Sequence, residues 1–380
     1  MPLSELRLQD LRCLPAAELQ LHPRINLITG ENGTGKTTLL EAVYLLGRGR
    51  SFRTRQVAQL IRQGQPSCWV AGRVAALAVG AGTSLPIDSL TDASGALVST
   101  STATSTTPQR RVDVTCDPGE VRARIDGQAV QSLAELSHLL PVQVIDPGIH
   151  RLVEEGPALR RRWLDWAVFH VEPGFMLQWQ GYMRALRQRN AALRSGGNPL
   201  PWETELVRLG EALTRARETV MSELRPVWDG TVADLGAATT TLQLSRGWSR
   251  DETLAEALMR HRERDRERGL TGQGPHRCDV VLRVDGRPAR EVVSRGQQKV
   301  LGAAMALAVM RYLAARRGTV PMLLLDDPAA ELDATHTQAL LRLAGALGGQ
   351  CVVTALHPEM LAAAPADRVF HVERGGVKQL

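Results

Sequence analysis

Residues 30–38, Gly30-Glu31-Asn32-Gly33-Thr34-Gly35-Lys36-Thr37-Thr38, constrain this chain more than any other stretch. They follow an apolar run, residues 25–29, that reads as a buried strand. They precede residues 39–46, which read as a helix. Strand, G-x-x-x-x-G-K-T and helix in that order make a phosphate cradle. The glycines let backbone N–H groups curl round a phosphate, and the helix N-terminus adds positive potential. Lys36 is placed to reach the β- and γ-phosphates, and Thr37 to hold Mg²⁺. The chain has 46 basic residues, of which only Lys36, Lys299 and Lys378 are lysines. Lysine inside the loop of an arginine-rich chain has a physical reason: a compact ammonium fits a tight backbone nest and a guanidinium fork does not.

The rest of the composition sets bounds. A chain of 380 residues holds two or three domains' worth of core. No stretch of 18 or more apolar residues appears, the length a membrane span needs. The first residues carry no basic, apolar secretory leader. The five cysteines are scattered without a CxxC pair, which argues against structural zinc or a disulfide framework. A cytoplasmic, membrane-free protein is expected. The formal charge of +6 suits a polyanionic partner such as DNA without requiring one.

Period-two patterning gives strands over residues 4–8, 18–21, 68–79, 111–116, 121–125 and 141–145. Residues 80–107 are rich in Ser, Thr, Ala and Gly and read as a low-complexity loop. Helical spacing takes over from about residue 148 to 272, punctuated by Pro157, Pro173, Pro199 and Pro226. Six of the seven tryptophans fall there, among them Trp163, Trp166, Trp179 and Trp202, and read as its core. Strand patterning returns with an expected hairpin, residues 280–284 and 289–293. A long helix (297–316), a strand (322–325), a helix (335–347) and two strands follow. The expectation is one discontinuous α/β lobe, residues 1–147 and 277–380, with an inserted helical lobe, residues 148–276. The arginine-rich turn at residues 47–55 reads either as a solvated loop or as a contact to nucleotide or DNA phosphate.

Further pieces make the glycine loop specific. Residues 323–328, Leu-Leu-Leu-Asp-Asp-Pro, are an apolar strand ending in two carboxylates. Asp326 would orient Mg²⁺, and Asp327 would position or deprotonate the attacking water. Ser294-Arg295-Gly296-Gln297 opens the long helix with Ser294 as its N-cap, offering free N–H groups to an anion. Its place ahead of the strand at Met322 makes it resemble the signature segment of ABC-type ATPases. Glu331, Leu332 and Asp333 resemble the D-loop of that superfamily. Such ATPases put a Thr-His pair after the next strand. Here Thr354 is followed by Ala355 and Leu356, leaving His357 as the candidate sensor. Gln143, in a buried strand, is the candidate glutamine at Mg²⁺ or its water.

Over nearly its whole length the chain resembles the RecF family, bacterial DNA-repair ATPases built as an SMC-type head without the coiled-coil rod. The resemblance is carried by residues 22–26 leading into the loop, by 47–54, by 155–157 with 160–166 and 169–171, and by 294–299. It implies an ABC-type P-loop ATPase that uses ATP and Mg²⁺, and slow hydrolysis is expected because Asp327 is one methylene shorter than the glutamate common in ABC-type ATPases. It further implies a dimer in which Ser294–Gln297 of one copy faces the glycine loop of the other. Duplex DNA near single-strand gaps would be the substrate, with RecA loading through RecR and RecO. The alternative is the ATPase subunit of an ABC-type transporter. The long tryptophan-rich insert between Lys36 and Ser294 argues against it. No N-K-x-D motif points to a GTPase.

Overall fold

The computed structural model describes residues 2–75, 109–356 and 365–380. The whole of the expected low-complexity stretch, 80–107, and the candidate sensor His357 therefore lie outside the described residues. The chain opens with the antiparallel pair β1 (Leu3–Leu11) and β2 (Leu14–Gln20), then β3 (Ile25–Thr29) and α1 (Lys36–Arg48). Strands β4 (Cys68–Ala75), β5 (Gln109–Asp117), β6 (Glu120–Ile125) and β7 (Gln128–Ala129) lead to α2 (Ala134–Leu139) and β8 (Val142–Ile145). The helical stretch holds α3 (Arg151–Glu154), α4 (Pro157–Val171), α5 (Phe175–Arg194), α6 (Leu200–Leu235), β9 (Thr241–Ser245), α7 (Leu254–Arg260) and α8 (Arg262–Arg268). The C-terminal part comprises β10 (Asp279–Val284), β11 (Arg287–Pro288), α9 (Ala289–Val292), α10 (Arg295–Arg317), β12 (Met322–Asp326), α11 (Pro328–Glu331), α12 (Ala334–Ala346), β13 (Cys351–Ala355), β14 (Arg368–Glu373) and β15 (Gly376–Gln379).

The central sheet has the order β15-β14-β3-β13-β12-β8, and all its neighbours pair parallel except β15 with β14. Its inner strands β3, β13 and β12 are buried on both faces, which is why they read as nearly continuous apolar runs. Successive residues point to opposite faces. Leu323, Leu325 and Val353 enter one core with α10 and the helices α4–α6, while Met322, Leu324 and Val352 enter a second core with α1 and the antiparallel sheet. That second sheet runs β2-β1-β4-β5-β6-β7. The helical stretch thus shares a core with α10 and the central sheet.

Four expectations change. The hairpin over 280–284 and 289–293 is only two residues deep on its second arm, because Pro288 has no N–H to continue the ladder and the chain turns into α9. The main partner of β10 is β9, Thr-Leu-Gln-Leu-Ser, which lies within the helical stretch. A small sheet, β11-β10-β9, therefore straddles the expected division at residue 276. Pro226 does not end a helix: it sits inside the 36-residue α6. Apolar packing of α6 against α5 and α10 outweighs the lost backbone bond there. Finally, Trp163, Trp166 and Trp228 are buried as expected, but Trp202 is exposed at the start of α6.

Helix α10 is seated by close backbone approach. A β-carbon on Gly302 would meet the Ile149 carbonyl oxygen at 2.5 Å, and Trp163 Nε1 donates to the Met305 carbonyl at 2.8 Å. The segment after β8 is therefore fixed against the helix that begins at Ser294. Gly302→Val should cost about 1–3 kcal/mol, the usual range for overpacking a filled interior. Urea unfolding of the full chain reads this as a lowered midpoint at unchanged slope.

Candidate functional site: a phosphate cradle at the ends of four parallel strands

The loop after β3 is wound as its glycines demand. Gly30, Gly33 and Gly35 have φ of 147°, 82° and 115°. A β-carbon on Gly30 would meet the Val372 carbonyl oxygen at 2.4 Å, so this position requires glycine twice over. Thr34 Oγ1 ties the turn by donating to the Glu31 carbonyl at 2.9 Å, while Glu31, Asn32 and Gly33 are exposed. Lys36 starts α1, and its Nζ donates to the Gly30 and Glu31 carbonyls at 2.6 and 2.9 Å. Burial pulls the Lys36 pKa down, and the Asp327 and Asp326 carboxylates hold it up. The ammonium is thus presented on the inner wall of the loop. Thr38 is buried, with its hydroxyl 3.7 Å from Cys13 Sγ.

Asp326 closes β12, and β13 runs beside it with Thr354 level with Asp326. Thr37 Oγ1 and Thr354 Oγ1 each donate to Asp326 Oδ1 at 2.9 Å. Thr354 Oγ1 also accepts from the Asp327 N–H at 2.9 Å. This hydroxyl therefore fixes both carboxylate residues from the next strand. Asp327 has φ of 48°, a left-handed conformation that turns the chain sharply out of the strand. Its Oδ1 is buried without a hydrogen-bond partner among the described residues. Burial raises the Asp327 pKa, and Asp326 and Glu331 raise it further against the pull of Lys36.

A cavity of about 840 Å³ joins these groups, lined by Lys36, Thr37, Asp326 and Asp327 together with Arg12, Arg53 and Arg62. The donor set suits a polyphosphate and a hard divalent cation: an ammonium, a hydroxyl and a carboxylate oxygen converge, and one buried carboxylate oxygen is orphaned. The three arginines add positive charge that the motifs alone did not reveal. Arg12 reaches Glu41 of α1 through two bonds of 2.8 Å, a pairing that raises its pKa. Only the tertiary fold brings it to the loop.

The remaining candidates are placed as follows. Gln143 does not join this cavity. It pairs in register with Leu323, ahead of the end of β8, and lines a neighbouring cleft. The residue that follows β8 beside Asp326 is Asp146, half-buried, whose pKa is raised by burial and by Asp326 against the pull of Arg151. Asp146 lines the neighbouring cleft with Gln143, and its place level with Asp326 follows from the strand register, which is invisible in the strand itself. Ser294 caps α10: its hydroxyl accepts from the Gln297 N–H at 3.3 Å, and the Gln297 side chain accepts from the Ser294 N–H at 2.8 Å. Ser294, Arg295, Gly296 and Gln297 are all exposed, and none lines the cavity of its own chain. Arg295 Nη2 lies 3.3 Å from His150 Nε2. Glu331 pairs with Lys299 of α10 at 2.7 Å, Leu332 is half-buried, and Asp333 caps α12 by accepting from the His336 N–H at 2.9 Å.

Comparison with known proteins gives three findings. Residues 2–378 match the family described as RecF/RecN/SMC N terminal domain. The chain is 39% identical over 391 residues to the DNA replication and repair protein RecF of Stutzerimonas stutzeri, covering 100% of this chain and 98% of that one. It is 38% identical over 385 residues to the RecF of Thioalkalivibrio sulfidiphilus, covering 100% and 99%. Among solved structures it is similar to the recombination mediator protein RecF with ATP, of the RecFOR pathway, at a TM-score of 0.81 and 22% identity, covering 100% and 97%. It is similar also to an Smc head domain derived from Pyrococcus furiosus, at a TM-score of 0.57 and 14% identity, covering 100% and 96%. These structural likenesses establish the expected ABC-type, SMC-head fold.

Two predictions follow from the geometry. Thr354→Val should destabilise the chain by about 1–3 kcal/mol, because it strips the Asp327 N–H of its partner and the Asp326 carboxylate of one of its two donors. Chemical unfolding measures that cost. The Asp327 carboxyl, with its pKa raised by folding, costs stability as pH climbs from the usual carboxylate range of about 3.9 through the raised value. Asp327→Asn should therefore melt higher than wild type at pH 7. The advantage should vanish as pH falls to that range, as read by thermal melts across pH.

Proposed function

The chain belongs to the RecF/RecN/SMC N-terminal domain family, and from that premise we propose that it is an ATP-dependent, dimerising DNA-binding ATPase of replication and recombinational repair. The observation that carries this reading is a division of the site. The cradle, the threonine and the carboxylates share one cavity, while the capped helix start at Ser294 faces solvent outside it. A nucleotide held by the loop would present its γ-phosphate outward, where the α10 N-terminus of a second copy, with Ser294–Gln297, supplies the missing donors. The phosphate is then both substrate and interface, and its loss separates the copies.

The residues have distinct tasks in this reading. The loop amides from Gly30 to Thr38 and Lys36 bind the phosphates. Thr37 and Asp326 would hold Mg²⁺, which when bound neutralises charge on the β- and γ-oxygens. Asp327 takes the proton of the attacking water, and its burial-raised pKa makes it a better base than a solvated carboxylate. Glu331, Leu332 and Asp333 sit where Lys299 couples them to the signature helix of the same chain. We retain His357 as the candidate γ-phosphate sensor and Gln143 as the candidate at Mg²⁺ or its water, and add Asp146, level with Asp326, as a second candidate for that role. We also retain the division into an ATPase lobe, 1–147 and 277–380, and a helical lobe, 148–276, with the sheet β11-β10-β9 crossing the boundary at 276. Duplex DNA near single-strand gaps, with RecR and RecO as partners in RecA loading and the cytoplasm as location, completes the proposal. Relatives named as DNA replication and repair proteins support it. Among the described residues no helix is long and apolar enough to cross a membrane, and a transport ATPase subunit finds no support in the relatives.

Size-exclusion chromatography with ADP, ATP and a slowly hydrolysed analogue, with and without duplex DNA, tests the reading. A dimer is expected only with ATP or the analogue. Ser294→Arg should bind nucleotide yet stay monomeric, whereas Lys36→Ala should lose dimerisation and at least about 10²-fold in kcat. Wild-type turnover should stay below about 10 s⁻¹, the median for enzymes. A monomer under every condition overturns the proposal.

A further inference from the structure

Two stretches that mark the sequence, residues 47–55 and 155–166, meet in space. They line one cleft of about 830 Å³ beside the nucleotide cavity, with Arg53 on the walls of both. The cleft is dominated by arginine: Arg48, Arg50, Arg53, Arg55, Arg151 and Arg162 line it, against only Asp146 and Glu155 as carboxylates.

The three arginines at 160–162 have separate roles. Arg160 is buried and clamped on Asp279 by bonds of 2.8 and 3.0 Å, so it is structural. Arg161 donates to the Cys278 carbonyl at 2.8 Å. Arg162 faces the cleft and is exposed. Arg50, Arg53, Arg55 and Arg162 make no side-chain hydrogen bond and no ion pair among the described residues. Burial lowers the Arg162 pKa, and Arg55, Arg50 and Arg151 lower it further as like charges. Arginines that outnumber the carboxylates around them repel one another, an arrangement that an anion relieves.

The cleft also offers rings. Phe52 is half-buried and held edge-on against Tyr44, with centroids 5.4 Å apart. Trp166 lies beneath Arg48, whose guanidinium carbon is 4.8 Å from the ring centroid and whose buried Nε has no partner. Unpaired arginines alternating with an accessible ring are the chemistry of single-strand binding: phosphates on the cations, bases on the ring faces. A duplex, with its bases stacked inside, offers nothing to Phe52. A cleft this size accepts about one or two unstacked nucleotides.

We propose that the cleft between residues 50–55 and 151–166 seats the single strand of a DNA substrate where it leaves the duplex, with Arg50, Arg55 and Arg162 on its phosphates and Phe52 against a base. The proposal rests on the DNA-binding reading above and adds a site to it. Since Arg53 borders both cavities, the strand would lie next to the nucleotide, so the bound substrate is placed to affect the ATPase site through one side chain.

Fluorescence anisotropy of the full chain with a slowly hydrolysed ATP analogue tests this, using a blunt duplex and the same duplex with a short single-stranded extension. Wild type should bind the extended duplex at least about fivefold tighter, the lower bound for one stacked base. The double variant Arg55→Ala/Arg162→Ala should cut that preference to within about twofold, leaving blunt-duplex affinity and nucleotide-dependent dimerisation unchanged. Its slope of log affinity against log salt should fall by about 1.4 on the extended duplex alone, at about 0.7 per single-strand phosphate contact. Phe52→Leu should reduce the preference without changing the salt slope, which a merely structural role would not separate. Equal binding of both duplexes by wild type, or an unchanged preference in the double variant, overturns the proposal while leaving DNA binding intact. No affinity for either duplex overturns both. Arg162-dependent binding of polyglutamate with no effect of the extension makes the cleft an acidic-peptide site, and the proposal falls.

Discussion

The hydroxyl of Thr354 is the point on which the nucleotide site depends. It is buried at the end of one parallel strand and satisfies groups on the next, the Asp326 carboxylate and the Asp327 backbone N–H. Thr37, from the loop after a third strand, donates to the same carboxylate oxygen. Three segments far apart in the chain are locked into one hydrogen-bonded cluster, each oriented by the others. In a water-poor setting such a cluster is rigid because any broken member leaves a buried polar atom unpaired. Rigidity is what a phosphate site needs: donors placed before the charge arrives.

One carboxylate is left out of that cluster. Asp327 is turned by its left-handed backbone into the cavity, with an unpaired buried oxygen and a raised pKa. Strain and an unsatisfied buried charge together cost stability at this carboxylate, the kind of cost that marks a functional position. The other half of the arrangement is made by α10. Close contact at Gly302 and the Trp163 hydrogen bond pin it to the segments after β8, and Lys299 ties it to Glu331. The carboxylates are therefore connected through a few direct contacts to the helix whose exposed start is capped by Ser294.

How much was legible depended on how local the chemistry is. The loop from Gly30 to Thr38 could be read because its dihedral demands, its lysine and its helix start all lie within nine consecutive residues. Ser294 could be read as a cap because Gln297 completes the box three residues on. Pro226 misled because local propensity opposes a helix that long-range packing enforces. The strand β9 was hidden in a helical stretch because its partner, β10, comes after two further helices. The place of Asp146 level with Asp326 is not legible locally, because only the register of β8 with β12 says which polar residue near the end of that strand stands beside the carboxylate.

The sequence by itself determined the phosphate cradle, the paired carboxylates after an apolar strand, the capped helix that faces outward and the α/β class. Each is written in neighbouring residues whose backbone geometry or periodicity has few solutions. Tertiary structure alone decided which polar groups share a cavity. It brought Arg12, Arg53 and Arg62 to the lysine loop, put Asp146 beside Asp326, and set Arg50 and Arg55 opposite Arg162 across one cleft. The reason is that charge acts through space. A guanidinium's neighbours are set by strand register and helix seating, and in this chain those are fixed by buried contacts between residues more than a hundred positions apart.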